Sequence, residues 1–126
     1  MFSKSDSISL LIVRIVPAII LMQTLFFKFT AAPESVEIFT KLHAEPWGRI
    51  ATGILELISG ILLLIPPTAL LGASLGLVLM CGAIASHLFV IGIESAGDRG
   101  QLFTLAIIVF VCCIAVIYLE KRKAGK

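Results

Sequence analysis

The sequence has 126 residues, of which 59% are hydrophobic and 14% charged, with a formal net charge of +2. Soluble domains carry roughly a quarter of charged residues, so this composition predicts a protein whose solvent is lipid. The small net charge and the lack of basic patches with interleaved aromatic residues argue against nucleic acid as a partner.

Four apolar segments follow one another along the chain, at about 8–29, 48–65, 68–92 and 101–119. A helix needs roughly 20 apolar residues to cross about 30 Å of hydrocarbon, so each segment is a candidate membrane span. Pro66 and Pro67 separate the second segment from the third, because proline cannot continue a helix. Since the segments fill nearly the whole chain, the sequence predicts a single all-α domain over 1–126, an integral membrane antiparallel four-helix bundle.

The first segment carries three polar side chains in an otherwise apolar run: Arg14, Gln23 and Lys28. The run is longer than the roughly 7–15 residues of a secretory signal, so we expect an uncleaved membrane anchor. At about 1.5 Å per residue, Arg14 lies about 9 Å from the inner end, where no acid on another helix can pair with it. We therefore expect Arg14 to extend to lipid phosphates on the inner side, or to a partner there.

The connection after the first segment, "TAAPESVEIFTKLHAEPWGRI", predicts a short helix. Pro33 stands where a helix can begin, and Glu34 and Glu37 favour its first turn. Trp47 is typical of a membrane–water interface. We expect this helix to lie on the outer membrane surface between helices 1 and 2 and to cover a pocket. An ordinary ordered connector is the alternative interpretation.

Glu56 interrupts the second segment, "GILELISGILLLI", and His87 stands near the outer end of the third. Counted at about 1.5 Å per residue, Glu56 lies about 10 Å below the outer surface, and Gln23 and His87 lie about 8 Å below it. A charged side chain near the bilayer centre costs about 3 kcal/mol, and such groups usually face the interior of a bundle. We therefore expect Gln23, Lys28, Glu56 and His87 to converge on one polar pocket in the outer half of the protein.

Each of these residues also has a purely structural interpretation. Glu56 can hold the helices in register as an interhelical hydrogen-bond acceptor, instead of binding a ligand or a proton. His87 can be a packing residue, and Lys28 can extend to the membrane surface. The sequence leaves these interpretations open, and the matched depths of the residues favour a shared site.

Gly72 and Gly76 are spaced one helical turn apart in the third segment, which lets a neighbouring helix approach closely. That neighbour is either another helix of the bundle or a second subunit of a homo-oligomer. The cysteines, Cys81, Cys112 and Cys113, form no C-x-x-C pair, and we interpret them as packing residues. The sequence contains no metal-ligand spacing and no glycine-rich nucleotide-binding loop.

Lysine and arginine near the helix ends indicate how the chain crosses the membrane. The side of the termini carries Lys4, Lys121, Arg122, Lys123 and Lys126, against Lys28, Lys41, Arg49 and Arg99 on the other side. The difference of five basic residues against four is small, but the cluster at the C-terminus adds to it. We therefore expect both termini in the cytoplasm.

Three stretches resemble the DoxX family of small four-helix membrane proteins: "LLIVRIVPAIILMQTLFFKF", "GRIATGILELISGILLLI" and the Gly/Ala-rich third segment that ends in a histidine. The resemblance covers nearly the whole chain. It includes Arg14 early in helix 1, the Lys28-Phe29 end of that helix, and the pattern G-x-x-E-[LI]-x-x-G from Gly53 to Gly60. We expect Gly53 and Gly60, being small, to pack against neighbouring helices.

The resemblance implies a bacterial or archaeal cytoplasmic (inner) membrane and a membrane subunit of a redox assembly linked to quinones, sulfur or oxidative stress. Membrane lipids and redox proteins would be its partners, and a quinone or other lipophilic molecule would bind near the protonatable Glu56 and His87. A second hypothesis is a small proton-coupled multidrug-type transporter, although Lys28 would repel a cationic substrate. A third is a non-catalytic scaffold that docks partners. The sequence leaves open whether the chain is an enzyme.

Overall fold

The computed structural model describes residues 2–93 and 100–125. Its α-helices are α1 (Lys4–Phe29), α2 (Pro33–Lys41), α3 (Trp47–Leu64), α4 (Ala69–Ser86) and α5 (Gln101–Gly125). A 3-10 turn, Pro66–Thr68, precedes α4, and a π-helical turn, His87–Ile91, follows it directly. The predicted all-α four-helix architecture, with a short helix between the first two long ones, is confirmed. Arg99, counted in the charge bias, lies outside the described residues.

The four long helices form a ring, because α1 and α4 each pack against both α3 and α5. Leu63, Val109 and Val116 are fully buried in the core that the ring encloses. Neighbouring helices run antiparallel, as the ends of α1 and α5 show. Arg122 Nη2, near the end of α5, lies 3.5 Å from Asp6 Oδ2, near the start of α1. Both chain termini therefore lie at the same end of the bundle.

Four helical stretches are long and apolar enough to cross a membrane: α1, α3, Pro66–Ile91 and α5. Large apolar side chains cover their outward faces, among them Ile19 and Val78, which are 61% and 68% exposed. Exposing apolar surface to water costs about 25 cal/mol per Å², so these faces require lipid around them. The fold is that of a multi-pass membrane protein.

The expected contact of Arg14 with lipid is wrong, because the side chain turns into the bundle, and a contact with a partner stays a prediction. The residue is 8% exposed. Its Nε donates to the carbonyl oxygen of Leu63 and its Nη2 to that of Leu64, both at 2.9 Å. The carbonyl of Leu63 lacks a helical donor because Pro67, four residues later, has no N–H, and that of Leu64 lacks one because the N–H of Thr68 donates to Ile65 instead. The guanidinium supplies these donors and complements the negative end of the α3 dipole.

Small residues let α1 approach α3 closely. Gly53 faces the ring of Phe29, and Gly60 faces the methyl end of Met22, both from α1. An added Cβ would lie 2.8 Å from the ring at Gly53 and 2.7 Å from the methyl group at Gly60. Both glycines therefore lie in helix–helix contacts of the bundle.

Gly72 and Gly76 serve contacts within this chain. Ser59 of α3, which is fully buried, donates its hydroxyl hydrogen to the carbonyl oxygen of Gly72 at 2.9 Å. Gly76 faces the same serine and Cys113 of α5. Of the two alternatives for this glycine pair, packing inside the bundle is the one that the contacts favour.

The substitution Gly72→Ala should destabilise the protein by about 2 kcal/mol, a typical cost of overpacking. The added methyl group would lie 2.7 Å from the backbone nitrogen of Leu63, and backbone cannot move aside without separating the helices. Gly82→Ala on the same helix is the matched control, because no heavy atom of the other described helices lies within 4 Å of its added methyl. Unfolding by SDS titration in mild detergent measures both, and equal effects would contradict the close contact of α3 and α4.

Candidate functional site

A cavity of about 690 Å³ lies at the end of the bundle opposite the chain termini. All five helices contribute to its wall, and α2 packs at that end against α1, α3 and the π-helical turn. The wall is mostly apolar, with a set of polar side chains: Gln23, Thr24, Lys28, Glu34, Ser35, Thr52, Glu56, Ser86, His87 and Gln101. This volume and this mixture of side chains are typical of sites for small molecules.

The four residues of the predicted pocket, Gln23, Lys28, Glu56 and His87, all line this cavity. They come from α1, α3 and the π-helical turn. Gln23 is exposed at the rim, whereas Glu56 and His87 are 4% and 6% exposed. The structure thus brings the four side chains to one cavity, and their role in binding stays a prediction.

One carboxylate oxygen of Glu56 takes part in an ion pair but has no hydrogen-bond partner among the described residues. Lys28 Nζ lies 3.2 Å from Glu56 Oε1, and the two side chains are 15% and 5% exposed. The charges are close enough to attract each other, but their geometry is not that of a hydrogen bond. Oε1 has no hydrogen-bond donor among the described residues. Buried polar atoms normally have such a partner, so this oxygen offers a vacant acceptor to a ligand.

Arg49 positions Lys28, and the sequence analysis missed it as a site residue. Its Nη1 donates to the carbonyl oxygen of Lys28, which ties the start of α3 to the end of α1. Its Nε donates to Glu45 Oε1 at 2.9 Å and its Nη2 to Oε2 at 3.1 Å. Glu45 and Arg49 are four residues apart, a spacing that favours an ion pair on a helix. Pro46 lies between the two residues, so the sequence did not indicate that they share one helical turn.

His87 lines the cavity and holds one of its ring nitrogens against the backbone. Its Nδ1 lies 3.0 Å from the carbonyl oxygen of Gly92. Because a carbonyl only accepts, Nδ1 carries the hydrogen, and Nε2 of the neutral ring is left as an acceptor. No hydrogen bond to Nε2 forms within the described part of the chain. The ring also contacts Phe103 edge-on, with the ring centroids 5.6 Å apart.

The π-helical turn explains how His87 reaches this position. A π-helical turn widens the helix locally, and such turns are frequent at functional sites. It ends at Gly92, whose φ of 95° suits a glycine and whose N–H donates to the carbonyl oxygen of His87. The backbone of Gly92 is thus hydrogen-bonded to both the backbone and the imidazole of His87, which orients the ring.

The cysteines lie outside the cavity. Cys113 is buried against Gly76, Cys112 is partly buried, and Cys81 is exposed on the outer face of α4. Cys81 lines a small apolar groove between α4 and α5, away from the polar residues of the cavity. Within residues 2–93 and 100–125, no group of three His, Cys, Asp or Glu side chains could hold a metal ion.

A comparison with known protein families matches residues 12–118 of the chain to the DoxX-like family. The matched stretch contains every residue of the predicted pocket, and it leaves out only residues 4–11 of α1 and 119–125 of α5 among the helices. Searches among curated proteins and among solved structures found no match.

Proposed function

The chain belongs to the DoxX-like family and is a multi-pass membrane protein, and from this premise we propose that it is the membrane subunit of a redox assembly. In that assembly it binds a small lipophilic molecule of the quinone class in the cavity between its helices. Redox proteins are its partners. The assembly lies in a bacterial or archaeal cytoplasmic membrane, with both termini of this chain in the cytoplasm.

The vacant acceptor on Glu56 carries this proposal. An unsatisfied buried polar atom costs about 1–3 kcal/mol, which a ligand that supplies a donor would recover. If Glu56 only held the helices together, its oxygens would be expected to find donors on neighbouring helices. Instead, Oε1 stands without one in the wall of a cavity of about 690 Å³. This arrangement supports a binding role for Glu56 over a purely structural role between the helices.

The charged pair inside the cavity, Lys28 and Glu56, supports a neutral ligand, and Glu34, the third charged residue of the wall, is exposed. Lys28 and Glu56 balance each other at 3.2 Å, so neither charge needs an ion from outside. A cationic substrate would meet the Lys28 ammonium beside the carboxylate and be repelled. The multidrug-type transporter is therefore less well supported. Apolar side chains such as Ile20, Leu105 and Val109 line the rest of the cavity and suit a lipophilic body.

Purification in mild detergent, followed by mass spectrometry of co-purifying small molecules and proteins, tests the proposal. We expect a neutral lipophilic molecule and redox proteins to co-purify with the wild-type chain. Glu56→Gln keeps the size of the side chain and removes its charge, and it should lower the amount of bound molecule at least tenfold. The thermal unfolding midpoint should stay close to that of the wild type, because the amide still fits between the helices and the unpaired Lys28 ammonium, near the end of α1, can extend to water.

Glu37→Gln is the matched control for this test. Glu37 is half-exposed on α2, pairs with Lys41 and does not line the cavity. It should retain the wild-type amount of bound molecule. If no small molecule co-purifies and partner proteins remain bound to Glu56→Gln, the scaffold hypothesis would replace this one.

A further inference from the structure

We infer that the cavity prefers the reduced, hydroxyl-bearing form of its ligand, a hydroquinone head group, over the oxidised quinone. This inference rests on the proposed function and names the form of the ligand that the site binds. It follows from counting which groups of the cavity wall accept hydrogen bonds and which donate them.

The first acceptor is Glu56 Oε1, which has no donor among the described residues. A quinone carbonyl oxygen only accepts, so placed against Oε1 it would bring two sets of lone pairs together. A phenolic hydroxyl donates its hydrogen to a carboxylate, and hydrogen bonds to an ionised acceptor are among the strong ones. This oxygen therefore discriminates between the two forms.

Lys28 does not oppose this preference. Its ammonium can donate to a quinone carbonyl and equally to a hydroxyl oxygen, since a hydroxyl group both donates and accepts. Because Nζ lies only 3.2 Å from Glu56 Oε1, one hydroxyl group can contact both charges. A hydroquinone hydroxyl satisfies the pair, whereas a quinone oxygen satisfies the lysine alone.

The second acceptor is Nε2 of His87, which follows from the donation of Nδ1 to Gly92. His87 and Glu56 line the same cavity, and each is more than nine-tenths buried. A hydroquinone carries two hydroxyl groups on opposite sides of its ring. Two acceptors in one cavity match two donors on one ligand, and a quinone offers none.

Binding of a short-chain quinone and of its two-electron-reduced quinol, measured by calorimetry on the full chain in lipid nanodiscs without oxygen, tests the inference. The two ligands differ by two hydrogens and are nearly equal in size. We expect the quinol to bind at least tenfold more tightly. In Glu56→Gln, this ratio should fall to about threefold or less, because the amide nitrogen donates to the quinone carbonyl.

His87→Phe provides the second variant, since it keeps an aromatic ring beside Phe103 and removes Nε2. It should lower the same ratio. Glu37→Gln, outside the cavity, should leave the ratio unchanged. A quinone that binds as tightly as the quinol to the wild type would overturn the inference and leave the proposed function standing. Failure of both ligands to bind would overturn the two together.

Discussion

Lys28→Met is expected to destabilise the bundle by about 3 kcal/mol, at the lower end of the cost of breaking a buried ion pair. The substitution leaves the Glu56 carboxylate, whose side chain is 5% exposed, without its counter-charge. The cost lies at the lower end because the Lys28 side chain retains 15% exposure. SDS titration of the purified protein in mild detergent measures the loss as a change in the free energy of unfolding.

Two further variants identify the cause of this loss. The double variant Lys28→Met with Glu56→Gln should recover most of the stability, because an amide needs no counter-charge. Lys41→Met breaks an ion pair with Glu37 whose side chains are 48% and 50% exposed, and it should cost no more than about 0.5 kcal/mol. If Lys28→Met cost as little as Lys41→Met, the ion pair would contribute nothing to the bundle, and the assignment of Glu56 as its charged partner would be wrong.

Arg14→Met should destabilise the protein by about 3 kcal/mol, because it removes hydrogen bonds to the C-terminal carbonyl groups of α3. The substitution removes the donors of two carbonyl groups, those of Leu63 and Leu64. Each hydrogen bond from a charged group contributes about 1.5–3 kcal/mol. Methionine keeps the volume of the side chain, so the loss reports the hydrogen bonds and not a void. The free energy of unfolding is again the measurement.

The conservative variant and a control sharpen this prediction. Arg14→Lys should recover part of the stability, because an ammonium can donate to one of the carbonyls but lacks the fork of the guanidinium. Arg122→Gln removes an arginine whose side chain is 45% exposed in its pair with Asp6, and it should change stability by about 0.5 kcal/mol at most. If Arg14→Met were as stable as the wild type, the carbonyl groups of Leu63 and Leu64 would have to find donors elsewhere.

The extents of the helices could be predicted from the sequence, because hydropathy and proline are local properties of the chain. The segments expected at about 48–65 and 68–92 correspond to α3 and to Pro66–Ile91. The first helix begins earlier than expected because Ser3 and Asp6 form a capping box at its start. The last helix continues to Gly125 because lysine and arginine are good helix formers where the chain leaves the hydrocarbon.

Four polar residues of the cavity wall, Gln23, Lys28, Glu56 and His87, could also be identified from the sequence, for a geometric reason. The rise per residue of a helix is constant, so the positions of Gln23, Glu56 and His87 along the chain determine their depth. Apolar surroundings then force polar groups at one depth toward the interior of the bundle. Depth and the cost of lipid exposure together place Glu56 and His87 inside one layer of the bundle, whereas Gln23 of the same layer stays exposed at the rim of the cavity.

Only the tertiary structure decided what each polar group contacts. Rise along a helix is a single coordinate, whereas a contact also depends on the rotation, tilt and separation of two helices, which the packing of the whole bundle determines. Arg14 was expected at the lipid because its partners are carbonyl groups of α3, and backbone carbonyls leave no trace in the sequence. The tie from Arg49 to Lys28, the volume of the cavity and the vacant acceptor on Glu56 arise in the same way.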